Sequence, residues 1–156
     1  MKLDQLDVKI IEIIQRSDML TPKLSKIAEV LGTTNATVYR RIDALKKEGV
    51  IIGHTTRIDG KLVGKGLQSF IYLKLQRNIS KDEKEEIGKK LSEIESVESV
   101  YVPIGRWNYL IKVRSSGIED LDHIIGEEIS KLPLEEMEVE FISRTLKDGE
   151  PILPKR

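Results

Sequence analysis

Lys23-Leu24-Ser25-Lys26-Ile27-Ala28-Glu29-Val30-Leu31-Gly32-Thr33-Thr34-Asn35-Ala36-Thr37-Val38-Tyr39-Arg40-Arg41-Ile42-Asp43 is the stretch on which the fold turns. Two helices that meet at a tight turn near a right angle need a small residue where they touch, a glycine at the turn and an apolar anchor on the second helix. Ala28, Gly32 and Val38 supply them, at spacings of four and six residues, with Ile27 and Leu31 filling the wedge. This is the spacing of a helix-turn-helix. With Val38, Ile42 and Leu45 facing the core, Thr34, Asn35, Ala36, Thr37, Tyr39 and Arg40 project outward or lie at the helix N-terminus, the end that enters a major groove. The chemistry suits base edges: Arg40 can fork onto guanine, Asn35 can pair with adenine, and Ala36 or the Thr37 methyl can touch thymine. A three-helix structural module with an ordinary polar face would show the same spacing.

Outward from this stretch, Leu3 to Ile14 reads as a first helix. Asp4 caps it, Leu3 staples onto Val8, and Leu6, Ile10, Ile13 and Ile14 form its apolar stripe. Thr21 and Pro22 open the second helix and Gly32 closes it; Thr34 caps the third and Gly49 stops it. Val50 to Ile58 reads as a two-stranded ribbon turning at Gly53, with Arg57 either a phosphate contact or an ordinary solvated arginine. Arg41 stands where an apolar residue is common in such motifs. It contacts either phosphate or an acid within the domain.

Residues 59–66, with three glycines, read as a hinge. Beyond it come a strand (67–76), a helix with the capping box Ser80/Glu83, strands 97–104 and 108–114, a helix with the box Ser116/Glu119, and a last strand from about 137 to 146. The order βαββαβ suits an antiparallel sheet with both helices on one face. The other face, assigned Phe70, Tyr72, Tyr101 and Phe141, then needs a cover, a physical reason to expect a dimer. The tail 151–154 reads as extended. The expected architecture is α+β. A winged helix-turn-helix domain (1–58) and the hinge (59–66) precede a ferredoxin-like βαββαβ domain (67–156) for dimerisation and effector binding.

Composition narrows the function. The 156 residues are 39% hydrophobic and 33% charged, as in globular proteins. No apolar run approaches a membrane span, and Asp4 interrupts any signal-like start, so a cytoplasmic protein is expected. The absence of cysteine excludes disulfides and thiolate metal sites, and His54 and His123 stand far apart, so no cofactor or metal is expected. Net charge is zero, yet residues 19–57 hold seven basic residues (Lys23, Lys26, Arg40, Arg41, Lys46, Lys47, Arg57) against Glu29, Asp43 and Glu48. A solvated surface would show the same excess. No nucleophile-base spacing, phosphate-cradling loop or metal cluster supports an enzyme. Glu135, Glu136, Glu138 and Glu140 alternate as a strand's solvent face would.

The chain resembles the leucine-responsive/asparagine-regulator (Lrp/AsnC) family. The matching residues are Leu3-Asp4-x-x-Asp7-x-x-Ile10-Ile11, Ile27-Ala28-x-x-Leu31-Gly32, and Thr34-x-x-x-Val38-x-x-Arg41-Ile42-x-x-Leu45-x-x-x-Gly49-Val50-Ile51, with Gly105 near Tyr109. The resemblance implies a transcription regulator on double-stranded DNA, and a two-fold dimer is expected to read a pseudo-palindromic operator. It implies homodimers through the C-terminal sheet, octamers of four dimers, and amino acids or related metabolites as effectors between dimers. The turn Gly105, Arg106, Trp107, Asn108 and Tyr109 joins two central strands and can emerge at a sheet edge where dimers meet, so effector or dimer-dimer contacts are expected there, with Arg106 as a fork for a carboxylate. The chain departs from the pattern where Thr34 replaces a capping serine and Asn108 replaces an aspartate that helps hold an effector's ammonium group. A metabolite-sensing dimer without specific DNA binding is the alternative. The exposed Arg40 and intact Ala28, Gly32 and Val38 argue against it.

Overall fold

The structure, a computed structural model, describes residues 3–16, 23–147 and 149. They divide between two compact units: those up to Arg57 together with those from Leu146 on, and Ile58–Thr145.

The first unit is built on three helices, α1 (Gln5–Arg16), α2 (Leu24–Leu31) and α3 (Asn35–Lys47). Ile10, Ile11, Ile27, Ala28, Val38 and Leu45 form its core, with Leu6, Ile13, Ile14, Leu31 and Ile42 packed against it. Gly32 takes the left-handed conformation (φ 62°) at the α2–α3 turn, as the spacing requires. Thr34 caps α3, accepting from the Thr37 N–H at 3.2 Å. The residue capping α2 is Lys23, with no side-chain cap; the expected cap Thr21 and Pro22 lie outside the described residues. The start of α1 also differs from the simple cap: Asp4 and Asp7 each accept the other's N–H, at 2.9 and 3.1 Å.

The expected ribbon is absent, for none of residues 52–59, all described, forms a strand. Ile52 is 97% exposed, and Gly53 does not adopt the positive φ that a tight two-residue hairpin demands. An isolated two-stranded ribbon has little stability of its own. The segment 59–66, read as a hinge, falls within the second unit. It is a closed turn within the second unit, in which Lys65 N–H donates to Gly60 O at 2.7 Å and Lys61 N–H to Asp59 Oδ1 at 2.9 Å. The Lys65 ammonium reaches Asp120 at 3.3 Å.

The second unit has the expected βαββαβ order: β1 (Leu67–Leu75), α4 (Lys81–Glu93), β2 (Val97–Tyr101), β3 (Tyr109–Ser115), α5 (Ile118–Ile124) running into a π turn (Ile125–Ile129), and β4 (Leu134–Phe141). The strands lie in the order β2-β3-β1-β4, each pair antiparallel. Ser80 and Glu83 form the expected capping box on α4. On α5 the expected box fails. Gly117 is the cap, and Ser116 donates to Asp120 from its N–H (2.7 Å) and its hydroxyl (3.0 Å). The last strand starts three residues earlier than expected and ends five earlier, because Leu134 and the glutamates after it pair with β1.

Alternation sets the two faces. Ile71, Leu73 and Leu75 of β1 and Ile111 and Val113 of β3 point with Val139 toward Ile87, Leu91, Leu121, Ile124 and Ile129 of the helices. Phe70, Tyr72 and Lys74, with Leu110, Lys112 and Tyr101, take the opposite, open face. Phe141 does not join them: it pairs with Ser69 and so shares the helix side. Beside it, Ser69 is the one wholly buried side-chain polar atom among the described residues with no hydrogen-bond partner. Burying a hydroxyl without a partner costs free energy. Ser69→Ala is therefore expected to raise stability by about 1 kcal/mol in denaturant unfolding. A loss of stability would show that the hydroxyl has a partner.

Candidate functional site

Helix α3 carries the candidate nucleic-acid face. Val38 and Leu45 are wholly buried, which turns Asn35, Ala36, Tyr39 and Arg40 outward; Tyr39 is 63% exposed. Thr34 and Thr37 sit at the N-terminal turn with their hydroxyls 3.0 Å apart. The cluster is thus brought together on one end of one helix, with no acid in its first turn. Lys46 and Lys47 lie at the other end, and Lys47 pairs with Asp43 at 2.8 Å.

Arg41, left between two roles by the sequence, pairs with acids of its own domain. Its Nη1 lies 2.8 Å from Asp4 Oδ2 and 3.4 Å from Asp7 Oδ1. The Asp7 N–H first, and the Arg41 charge with it, hold the Asp4 carboxyl below the usual carboxylate range. Arg57 stands apart from α3 in sequence, and its guanidinium lies against Gly149: a Cβ there would stand 3.2 Å from Nη1.

In the second unit the turn 105–109 is internally satisfied. Gly105 takes φ 149°. Arg106 pairs with Glu136 of β4, which favours its charged form, and its Cζ lies 4.7 Å from the centre of the Trp107 ring. Trp107 packs on Tyr72 at 5.6 Å between centroids, so the tryptophan joins the aromatic residues of the open face. Burial pushes the Tyr72 phenol up, and the bond from its hydroxyl to Glu140 (3.1 Å) adds to the shift. Asn108 is structural here: its N–H donates to Leu73 O and its Oδ1 accepts from Leu75 N–H at 2.8 Å. Tyr109 points to the helix side, buried, and donates to Lys84 O of α4. Gly88 makes room for it, since a Cβ there would stand 3.2 Å from the phenol oxygen. Of the five turn residues, Arg106, Trp107 and Asn108 therefore cluster against β1 and β4, while Tyr109 belongs to the core.

The structure adds two features that the sequence reading missed. Lys112 and Arg114 of β3 both reach Glu98 of β2, at 3.2 and 3.1 Å, placing a buried lysine on the open face. Cross-strand pairing (i opposite j) could have revealed it only with the register known. The glutamates of β4 are partly engaged, Glu135 with Lys74 at 2.8 Å and Glu136 with Arg106. No group of His, Cys, Asp or Glu able to hold a metal occurs among the described residues. No described helix is long and apolar enough to cross a membrane.

Comparison with known proteins gives this arrangement a family. Residues 3–52 match the winged helix-turn-helix DNA-binding model and residues 68–152 the Lrp/AsnC ligand-binding domain. The HTH-type transcriptional regulator LrpA of Pyrococcus horikoshii is 31% identical over 130 residues, covering 83% of this chain and 88% of that protein. An uncharacterised HTH-type transcriptional regulator of the same organism, PH0061, is 30% identical over 148 residues, 94% of this chain and 96% of its own. In fold, the transcriptional regulator NMB0573 of Neisseria meningitidis, solved as a complex with L-Met, superposes with a TM-score of 0.86 at 18% identity, over 97% of this chain and 96% of that one. The relatives carry regulatory names rather than catalytic ones. The chain belongs to the Lrp/AsnC family: it is a transcription regulator that joins a helix-turn-helix DNA-binding domain to an Lrp/AsnC ligand-binding domain.

Proposed function

We propose that the protein acts in the cytoplasm as a homodimer that reads a pseudo-palindromic operator with α3. The observation that carries this is the exposure of Asn35, Ala36, Tyr39 and Arg40 on one side of a helix that buries Val38 and Leu45 on the other. Thr34 and Arg57 supply backbone contacts, and the Thr37 methyl faces the base edges with Ala36. A band-shift titration on the promoter of the protein's own gene, at stated salt, tests it. Specific binding well above that for random DNA is expected, and equal affinity for both overturns it.

The second copy covers the open sheet face. Phe70, Tyr72, Leu110 and the Trp107 ring are apolar surface facing away from the helices, and large contiguous apolar faces are rare on monomers. Two copies related by a two-fold axis would place α3 helices on half-sites about 34 Å apart, or a multiple of it. Because Trp107 packs on Tyr72, Trp107→Ala is expected to weaken the dimer itself, seen as monomer in sedimentation at micromolar concentration. A native protein that is monomeric there with full operator affinity would end this reading.

The ligand-binding domain takes a small metabolite near the 105–109 turn. At 108 the chain offers an amide, not a carboxylate, and its oxygen is already held by Leu75. An ammonium group finds no counter-charge at that residue, so the effector is an acid related to amino acids but lacking the ammonium. Titrating amino acids and the related acids while following Trp107 fluorescence is expected to saturate with the latter. Tight binding of an ordinary amino acid overturns the assignment.

A further inference from the structure

We infer that Asp4 and Asp7 are positioning residues for DNA recognition, holding α3 in its reading pose through Arg41 rather than leaving Arg41 to the DNA. Asp7 is 1% exposed, yet it is a carboxylate. A buried charge is tolerated only with partners. Asp7 accepts the Asp4 N–H, and Arg41 Nη1 approaches both its oxygens, at 3.4 and 3.5 Å. Asp4 closes the triangle at 2.8 Å from the same nitrogen. One guanidinium nitrogen is therefore shared by two carboxylates, Asp4 just before α1 and Asp7 in its first turn, while the arginine side chain is 35% exposed.

Stability alone is a poor reason for such a cluster, since a well-packed apolar contact in its place is often at least as stable. A directed ion pair does something an apolar contact does not: it selects one rotation of one helix against another. Burial of apolar side chains such as Ile10 and Val38 is non-directional, whereas a shared guanidinium fixes direction. Arg41 follows Arg40 directly and lies one turn beyond Thr37 and Ala36. A small rotation of α3 that breaks the cluster would swing those residues off the base edges they face. Donor and acceptor on a base edge must meet at hydrogen-bond distance and angle. Phosphate contacts made by flexible basic side chains tolerate the same error.

The test separates three roles by measuring specific and random DNA across a salt series with the full chain. Asp7→Asn keeps the size and removes the charge. It is expected to weaken operator binding by roughly tenfold, the worth of one mis-aimed base contact, with random DNA unchanged. Arg41→Gln should do the same and leave the slope of log affinity against log salt as in the native protein. If Arg41 contacts phosphate, Arg41→Gln lowers the slope by about 0.9, and the inference is overturned. If either variant only unfolds at lower temperature, with both affinities intact below that temperature, the cluster is merely structural and the inference also fails. Should Asp7→Asn not fold, Asp4→Asn removes the shortest contact from a half-exposed position, and the same specific-against-random comparison decides.

Discussion

Arg40→Ala is expected to weaken operator binding by roughly 1–3 kcal/mol and to relax the preference at one operator position, on the order of ten- to a hundredfold in affinity. Arg40 is exposed on the outer side of α3, opposite the buried Val38 and Leu45. Unlike Arg41, it has no ion pair among those the structure places around α3. Its fork is long enough to reach the two acceptors that guanine presents in the major groove. Random DNA carries no fixed guanine for it, so affinity there should change little. The measurement is a band shift on the operator, a panel of single-base operator variants and random DNA. A uniform loss on every DNA would make Arg40 a phosphate contact, and the readout would then pass to Asn35 and Tyr39.

Gly60→Ala is expected to destabilise the second unit by about 1–3 kcal/mol, the range for forcing atoms into a filled space. A Cβ at this position would stand 2.5 Å from Lys65 O and 3.1 Å from Arg114 Nη1. The first neighbour is backbone, held in place by the 2.7 Å bond from Lys65 N–H to Gly60 O, and it cannot swing aside as a flexible side chain can. In a unit of this size the loss corresponds to a fall in melting temperature of roughly 5–20 °C. Gly53→Ala is the control. Nothing lies within 4 Å of its Cβ and its φ is ordinary, so the melting temperature should hold. Equal behaviour of the two variants would mean that the turn at 59–65 is not closed in solution.

These expectations depend unequally on sequence. The helix-turn-helix was legible because its geometry puts strict demands on single positions: Ala28, Gly32 and Val38 are each the answer to a steric question, and the outer face follows by helical period. The βαββαβ order was legible from apolar periodicity and the Ser80/Glu83 cap. Sheet faces and registers were less so. A shift of one residue inverts a strand's faces, and Phe141 was assigned to the wrong one because its side is set by its pairing with Ser69 of β1, a register that residue type does not disclose. The ribbon was misread because a run such as Val50-Ile51-Ile52 signals a strand only where a partner is available.

The roles of Arg41, Asn108 and Trp107 were decided in three dimensions. Local pattern governs backbone conformation, since caps, turns and helical stripes act within a few residues of the chain. Partners 34 residues apart, such as Asp7 and Arg41, or 35 apart, such as Tyr72 and Trp107, leave no periodic mark. Their pairing is set by how elements pack, and a charged or aromatic side chain has several chemically adequate partners until packing leaves one within reach. Hence residue types on α3 disclosed its exposed face directly. Only the packed fold showed that Arg41, not Arg40, pairs with the acids of α1's start, and on which side of the sheet the tryptophan lies.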